Sequence, residues 1–409
     1  MNKLISFLSI ALFTFFGCEK EISKENQLIM HTAELHEKII TIDTHVDTPL
    51  RLYRSGFNLG EMHDSHQGGG KLDFPRMVQG NLDAAFFAVF VGQGERTPEA
   101  NEKIKKRAFA IIDSINVQLE LNKDDAEFAG NVLQLKNIVS NGKRAILFGM
   151  ENGYPVGSDL SLVKTFYDKG ILYITLCHTK NNDICDSSDD PDGAEHNGLS
   201  EFGKEVVKEM NRLGMMIDIS HVSDKSFYDV IELTEAPVIA SHSCTRALRD
   251  HPRNMTDEMI KTLAKNGGVI QIAFYSDYIK KTKPNPQRDS ARQALRDKYN
   301  NFKDLSDEEH AAASNEWIEI DRIYQKDLAT VSELVDHIDH VANLVGIDHV
   351  GLGSDFDGGG ELEDCYDVTA IGNVTHELVK RGYSDKEIEK IWGGNLMRVF
   401  TNVEQVAVK

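Results

Sequence analysis

The sequence predicts an α/β fold, a (β/α)8 TIM-like barrel, and three observations predict it. Short apolar runs of strand length alternate with helix-length stretches eight times along the chain. Several of the runs are almost continuously apolar, as parallel strands covered on both faces must be. Residues able to bind a metal or move a proton stand at or just past the C-terminal ends of these runs, the rim where such barrels carry their sites. A scatter of structural histidines has no reason to choose the same end of each strand. The 409 residues exceed most single domains, but one barrel can use that length. The formal charge of -20 argues against nucleic acid, whose phosphates need a basic surface.

The first residues are read as a targeting segment. Lys3 gives a positive start, Leu4 to Phe16 is a short apolar core, and Gly17-Cys18 ends it. Residues 1–18 are therefore expected to be a lipoprotein-type signal peptide with Cys18 as lipid acceptor. Phe15 and Phe16 are bulkier than the usual residues there, and a plain signal peptide with an incidental cysteine is the alternative. A polar tether, 19–27, should lead into one barrel domain over 28–409. No other stretch is long and apolar enough to span a membrane. No lipid-anchor signal is read at the C-terminus, so any anchor is expected at Cys18, on the cell envelope of a bacterium, periplasmic or surface-exposed. Cys177, Cys185, Cys244 and Cys365 show no zinc-finger spacing, and free buried thiols are expected.

The elements follow in order. Leu28 to Lys38 reads as a short helix. The apolar run Ile39 to Ile42 opens the first strand, which delivers His45 and Asp47 on one face because residues two apart share a face. Gly56 to Gly70, with His63 and His66, reads as a mobile loop over the site, and neither histidine has the strand context of a ligand. Asp83 to Phe90 is the second strand, Asn101 to Leu121 a helix, and Arg144 to Gly149 the third strand with Glu151 past its end. Asp159 to Asp168 is a helix, and Ile171 to Leu176 is the fourth strand, leading to His178. After an acidic loop, Asp183 to Asn197, the helix Leu199 to Leu213 is stopped by Gly214. Met215 to Ile219 is the fifth strand, ending at His221. Ser223 and Asp224 cap the next helix. Pro237 to Ala240 is the sixth strand, ending at His242, and Gly268 to Ala273 the seventh, after a helix from Thr256 to Asn266.

Tyr278 to Asp327 breaks the rhythm: a proline-bearing loop and a charged helix opened by the Ser306/Glu309 capping box. This insertion, about 278–327, is expected to shape the substrate rim or an oligomer contact, with a homodimer the assembly considered. Thr330 and Glu333 open a long helix to Leu344. His349 to Gly353 is the eighth strand, ending at Ser354-Asp355, and Ser384 with Glu387 opens a final helix.

His45, Asp47, Glu151, His221 and His242 give three imidazoles and two carboxylates, a donor set suited to zinc. A carboxylate can bridge two ions, and Glu151 is the natural bridge. Two ions a few ångströms apart can hold a shared hydroxide at neutral pH and polarise a carbonyl. Asp355 is then the proton shuttle, taking the water's proton and returning it to the leaving nitrogen.

The ordered set of motifs resembles the membrane (renal) dipeptidase family of the amidohydrolase superfamily. The resemblance rests on Ile42-Asp-Thr-His-Val-Asp47, Gly149-Met-Glu151, Tyr173-Ile-Thr-Leu-Cys-His178, Asp218-Ile-Ser-His-Val-Ser223, Ser241-His-Ser243, Arg253-Asn254 and Gly353-Ser-Asp-Phe-Asp-Gly358. It implies a binuclear zinc barrel that cleaves dipeptides, two Zn2+ per subunit. His45 and Asp47 would bind one ion, His221 and His242 the other, with Glu151 bridging. His178, Arg253 and Asp355 match positions that contact substrate. Arg253 suits the dipeptide's carboxylate, His178 the oxyanion, and Asp355 also the free amine. Thr44 stands where a glycine is expected, with its side chain turned away from His45 and Asp47. Two other readings remain: a hydrolase acting on an N-acyl amino acid or lactone, and a non-catalytic binding lipoprotein.

Overall fold

A computed structural model describes residues 23–52, 56–302 and 305–407. The expected signal peptide and Cys18 lie outside the described residues. The strands are β1 (Ile42–Val46), β2 (Ala84–Phe90), β3 (Ala126–Phe128), β4 (Arg144–Glu151), β5 (Ile171–Thr175), β6 (Met216–Asp218), β7 (Ile239–Ser243), β8 (Val269–Ile272) and β9 (Val350–Leu352). Eight of them run parallel in the order β1-β2-β4-β5-β6-β7-β8-β9, each paired with the next. β3 pairs with the start of β4 and lies off this path. The arrangement is the expected TIM-like barrel with its helices outside.

The ring closes through the residues of the site itself. Past the end of β9, the Asp355 N–H donates to the His45 carbonyl at 2.9 Å, and the Asp47 N–H donates to the Phe356 carbonyl at 2.7 Å. The barrel seam therefore holds His45, Asp47 and Asp355 in register.

Alternate residues along the strands serve two cores, as the period of two requires. Ala85, Phe87, Ile146, Phe148 and Ile270 pack outward with the helices. Ile42, Phe86, Leu147, Tyr173, Met216 and Ile239 form the inner cluster, and the C-terminal helix Asn395–Val406 adds Leu396, Val399, Phe400 and Val403 to it.

Several local expectations change. The first helix begins at Lys24, with the Ser23 hydroxyl accepting from Asn26 N–H, so the last part of the expected tether is helical. A helix, Val132–Ser140, follows β3 where no element is read from sequence. The proline-bearing stretch of the insertion is also a helix, Pro286–Lys298: proline fits the first turn, and Asn285 caps it. It packs with Asp307–Ile323 as a hairpin. The capping boxes at Ser306/Glu309, Thr330/Glu333 and Ser384/Glu387 all form. The four cysteines among the described residues are free and buried. No helix among the described residues is long and apolar enough to cross a membrane.

Candidate active site

The sequence-expected donors converge at the C-terminal end of the barrel. His45 lies in β1, Glu151 ends β4 and His242 lies within β7, while Asp47, His221 and Asp355 lie in the turns just beyond their strands. All six are buried. His221 and Asp355 adopt left-handed backbone conformations (φ 69° and 60°), uncommon for residues other than glycine. Such strain is held only where the surroundings fix it, and it gathers at working sites.

Glu151 is the centre. Its Oε2 lies 3.5 Å from His45 Nε2. Its Oε1 lies 3.1 Å from His221 Nε2, 3.4 Å from His242 Nε2 and 3.7 Å from His178 Nε2. One carboxylate thus offers one oxygen to each side. His221 and His242 meet Nε2 to Nε2 at 2.9 Å. His45, Asp47 and Asp355 also present one donor atom each within 4.8 Å of one another. A Cβ at Gly358 would come 2.1 Å from Asp47 Oδ2 and 2.2 Å from Asp355 Oδ1, so only glycine leaves the space between those carboxylates open.

Surrounding hydrogen bonds turn lone pairs toward this centre. The Tyr173 hydroxyl lies 2.9 Å from His45 Nδ1 and 3.2 Å from the Thr44 carbonyl. With that carbonyl to donate to, it accepts from the ring, so Nδ1 carries the hydrogen and Nε2 a lone pair. Tyr173 can lie there because residue 149 is glycine: a Cβ would come 2.0 Å from the phenol ring. On the other side the Ser241 hydroxyl donates to Asp218 at 2.6 Å and lies 2.9 Å from His242 Nδ1, which sets the same tautomer. Buried His45 Nε2, Asp47 Oδ1 and His221 Nδ1 have no hydrogen-bond partner. Buried polar groups are normally paired. Imidazole and carboxylate atoms gathered within 4.8 Å of one another, as in the groups His45–Glu151–His242 and His45–Asp47–Asp355, are the donor chemistry of a divalent cation.

The electrostatics set His45 apart from the other rim imidazoles: burial opposes its charge, but Tyr173, Glu151 and Asp47 outweigh this and hold it well above the usual imidazole value. Burial pushes Asp47 up to about 6, with Glu151 adding to it. Burial and the Asp47 charge hold Asp355 well above the usual carboxylate range. Burial also opposes charge on Glu151, but His45 and the bonds from His221 and His242 outweigh it and hold it well below that range. Burial takes His242 down to about 3 and His221 well below the usual imidazole value. Neutral imidazoles are the ligating form.

His178 is half-buried, 4.2 Å ring to ring from His221, and close enough to Glu151 to form a donor group with it. Arg253 is buried and donates to the His242 carbonyl at 3.1 Å, while its Nε has no partner. Tyr278 lies under it at 5.3 Å. Thr44 does not enter the site: its hydroxyl donates to the Ser241 carbonyl at 2.7 Å. His63 and His66 stay away as well, His63 bonded to the Asn58 carbonyl and stacked on Phe57, His66 stacked on Tyr366. Sequence reasoning misses Asp43, Tyr173, Asp218, Ser241 and Tyr278. Asp43 accepts from the N–H groups of His45 and Ser354 and so ties the two ends of the seam. Its place two residues before His45 is a signal that could have found it. The others need the folded register.

A family model described as membrane dipeptidase (peptidase family M19) matches residues 29–409. The chain is 34% identical over 343 residues to dipeptidase tcpJ of Claviceps purpurea, covering 83% of this chain and 70% of that protein. Dipeptidase aclJ of Aspergillus oryzae is 31% identical over 361 residues, 87% of this chain and 74% of that one. The crystal structure of the probable dipeptidase PvdM from Pseudomonas aeruginosa superposes with a TM-score of 0.79 at 30% identity, covering 93% of this chain and 99% of that one. A metallo peptidase from Rhodobacter sphaeroides shares the fold, with a TM-score of 0.71 at 22% identity over 89% and 99% of the two chains. The barrel, the buried donor cluster and these matches agree: the chain belongs to the membrane dipeptidase family, peptidase family M19, and is a hydrolase of the metallo-dipeptidase type.

Proposed function

We propose that the protein is a zinc-dependent dipeptidase whose site recognises both ends of a dipeptide. The observation that carries this is Arg253. Its guanidinium is buried, and among the described residues no carboxylate pairs with it. A buried cation without a counter-ion is unfavourable unless a ligand supplies one, and a substrate carboxylate fits its planar donors. The buried carboxyl of Asp355 can receive the substrate's free amine. A zwitterion of dipeptide length satisfies both. An N-acyl amino acid would satisfy Arg253 alone, and a longer peptide could not place both termini.

His45, Asp47, Glu151, His221 and His242 would hold two Zn2+, with Glu151 shared. When bound, the ions would supply a nucleophilic water at neutral pH and polarise the scissile carbonyl. Asp355 takes the proton of the attacking water and returns it to the leaving nitrogen. His178 donates to the developing oxyanion. Tyr173 and Ser241 fix the two ring tautomers and move no proton.

Two variants test the roles. Asp355→Asn should lower kcat by about 10²–10⁴-fold, the range for general acid–base catalysis, with metal content near normal. Arg253→Ala should chiefly raise KM, because the carboxylate contact is made in ground and transition states alike. If Asp355→Asn loses metal in step with activity, Asp355 is a ligand rather than a shuttle. We further propose that Cys18 becomes the lipidated mature N-terminus, holding the enzyme on a bacterial cell envelope. Mass spectrometry of the protein from native membranes should show that modification, and a free N-terminus elsewhere would exclude it.

A further inference from the structure

The insertion brings charge to the Asp355 side of the site. Its two helices set Arg288 and Arg292 against a single carboxylate, Asp321, at 3.2 and 2.7 Å. Arg292 lies 4.1 Å over the Trp317 ring, and its Nε is buried without a partner. Beside this pair, Lys71 and Lys326 share a single carboxylate, Glu361. Lys71 Nζ lies 2.9 Å from Glu361 Oε2, and Lys326 bonds the other oxygen. Four cations thus face two carboxylates, in a chain of net charge -20. The neighbouring Arg51–Asp357 pair is balanced and does not cancel the excess.

The excess is largely sheltered from water. The side chains of Lys71, Arg288, Arg292 and Lys326 are 11%, 15%, 19% and 27% exposed. Burial, with Lys326 adding to it, pulls the Lys71 ammonium down to about 8 although Glu361 opposes this. Like charges held together out of water are unfavourable unless an anion joins them.

The cluster borders the reaction centre through Tyr275. A Cβ at Gly359 would lie 2.5 Å from the Tyr275 ring and 3.8 Å from Asp355 Oδ2, which places ring and carboxylate side by side. Burial raises the Tyr275 phenol, Asp355 adds to this, and Arg292 and Arg288 oppose it. Tyr275 therefore lies beside the shuttle and feels the charge of the insertion's arginines. Glu361 sits on the same edge, its N–H donating to the Phe274 carbonyl at 3.1 Å.

We propose that Lys71, Lys326, Arg288 and Arg292 form the subsite for the N-terminal side chain of the dipeptide, and that they select an acidic one, aspartyl or glutamyl. The inference rests on the dipeptidase reading above, because Asp355 holding the substrate amine is what turns that side chain toward the cluster. A side-chain carboxylate would be the third anion among four cations.

The test compares kcat/KM of the zinc-loaded full-length protein on Glu-Ala, Gln-Ala and Lys-Ala. Glu-Ala should exceed the isosteric Gln-Ala by about tenfold, as a charge-assisted contact does, and Lys-Ala should be poorest. Lys326→Gln should lower the Glu-Ala to Gln-Ala ratio, and Lys326→Glu should lower it further and raise Lys-Ala. Arg292→Gln should lower the ratio too; Lys326, the more exposed residue, keeps the test sound if loss of the Trp317 stacking prevents folding. Equal efficiency on Glu-Ala and Gln-Ala overturns the proposal alone, and so does a Glu-Ala preference that survives Lys326→Glu. Turnover of none of the three peptides overturns the dipeptidase reading and the proposal with it.

Discussion

Buried histidines stand in two regions of this molecule, and they differ in where their nitrogens point. In the helical shell, His36 and His337 are buried with both ring nitrogens satisfied. His36 Nε2 meets the Gly80 carbonyl at 3.0 Å, and Nδ1 meets the Thr375 hydroxyl at 2.7 Å. His337 Nε2 meets the Ile279 carbonyl at 2.9 Å, and Nδ1 meets the Thr245 hydroxyl at 2.8 Å. At the barrel rim, His45 and His242 each use Nδ1 to fix a tautomer and turn Nε2 toward Glu151, while His221 leaves Nδ1 without any partner. Burial is the same in both regions. A shell histidine completes the chain's own hydrogen bonding, whereas at the rim His45 Nε2 and His221 Nδ1 are left without a partner.

Metal removal breaks this contrast most severely. Exhaustive chelation should abolish dipeptide turnover, and zinc or another divalent ion should restore it. It should also lower thermal stability, since a ligand that binds only the folded state contributes several kcal/mol at concentrations far above its Kd. The shell histidines should be untouched, so the chelated protein should keep its far-UV circular dichroism. Full activity after verified removal of metal would remove the basis for reading the unpaired rim nitrogens as ligands.

A finer cut acts on tautomer alone. Tyr173→Phe keeps the ring against Gly149 but removes the hydroxyl that accepts from His45 Nδ1. Loss of such an outer partner lowers metal affinity or activity by about 10–100-fold. A competition titration against a chelator should show this drop with little change in melting temperature. An unchanged affinity would mean that packing, not the hydrogen bond, orients His45.

What sequence could and could not show follows the same division. The ligand-type residues were legible because each stands at the end of an apolar run, where barrel geometry gathers them. His36 and His337 carry no such signal, since they sit inside the helices Lys24–Lys38 and Val331–Val345. Three capping boxes were legible because each is a local pattern of four residues. The seam was not, because Asp355 and His45 meet across 310 residues of chain. Nor were the left-handed conformations of His221 and Asp355, since neither residue favours that region as glycine does. Tyr173 opens the motif that ends at His178, yet its role depends on the β4–β5 register that sets it opposite Gly149. In the insertion, Pro286 reads as a breaker until Asn285 is seen to cap a helix there.

The smallest expected effect belongs to His36, and it sharpens the comparison from the shell side. The neutral ring donates from Nε2 to the Gly80 carbonyl and accepts at Nδ1 from Thr375, whose hydroxyl in turn accepts from Trp392 Nε1 at 2.7 Å. Burial lowers the His36 pKa, with the Gly80 bond opposing. A folded-state pKa below the unfolded value means that the unfolded chain takes up the proton first. The contribution of the neutral ring is therefore complete above about pH 6.5 and declines as pH falls through the window below it, by about 1.4 kcal/mol per unit of pKa difference. His36→Gln should destabilise the protein by about 1–3 kcal/mol at pH 7, the range for a disturbed buried hydrogen bond. It should also flatten part of the fall in the denaturation midpoint between pH 7 and 5. Metal content and KM should stay at wild-type values, because neither ring nitrogen faces the rim. If His36→Gln lost metal as the rim variants do, satisfied and unsatisfied nitrogens would not separate scaffold from site, and the contrast between the two regions would fail.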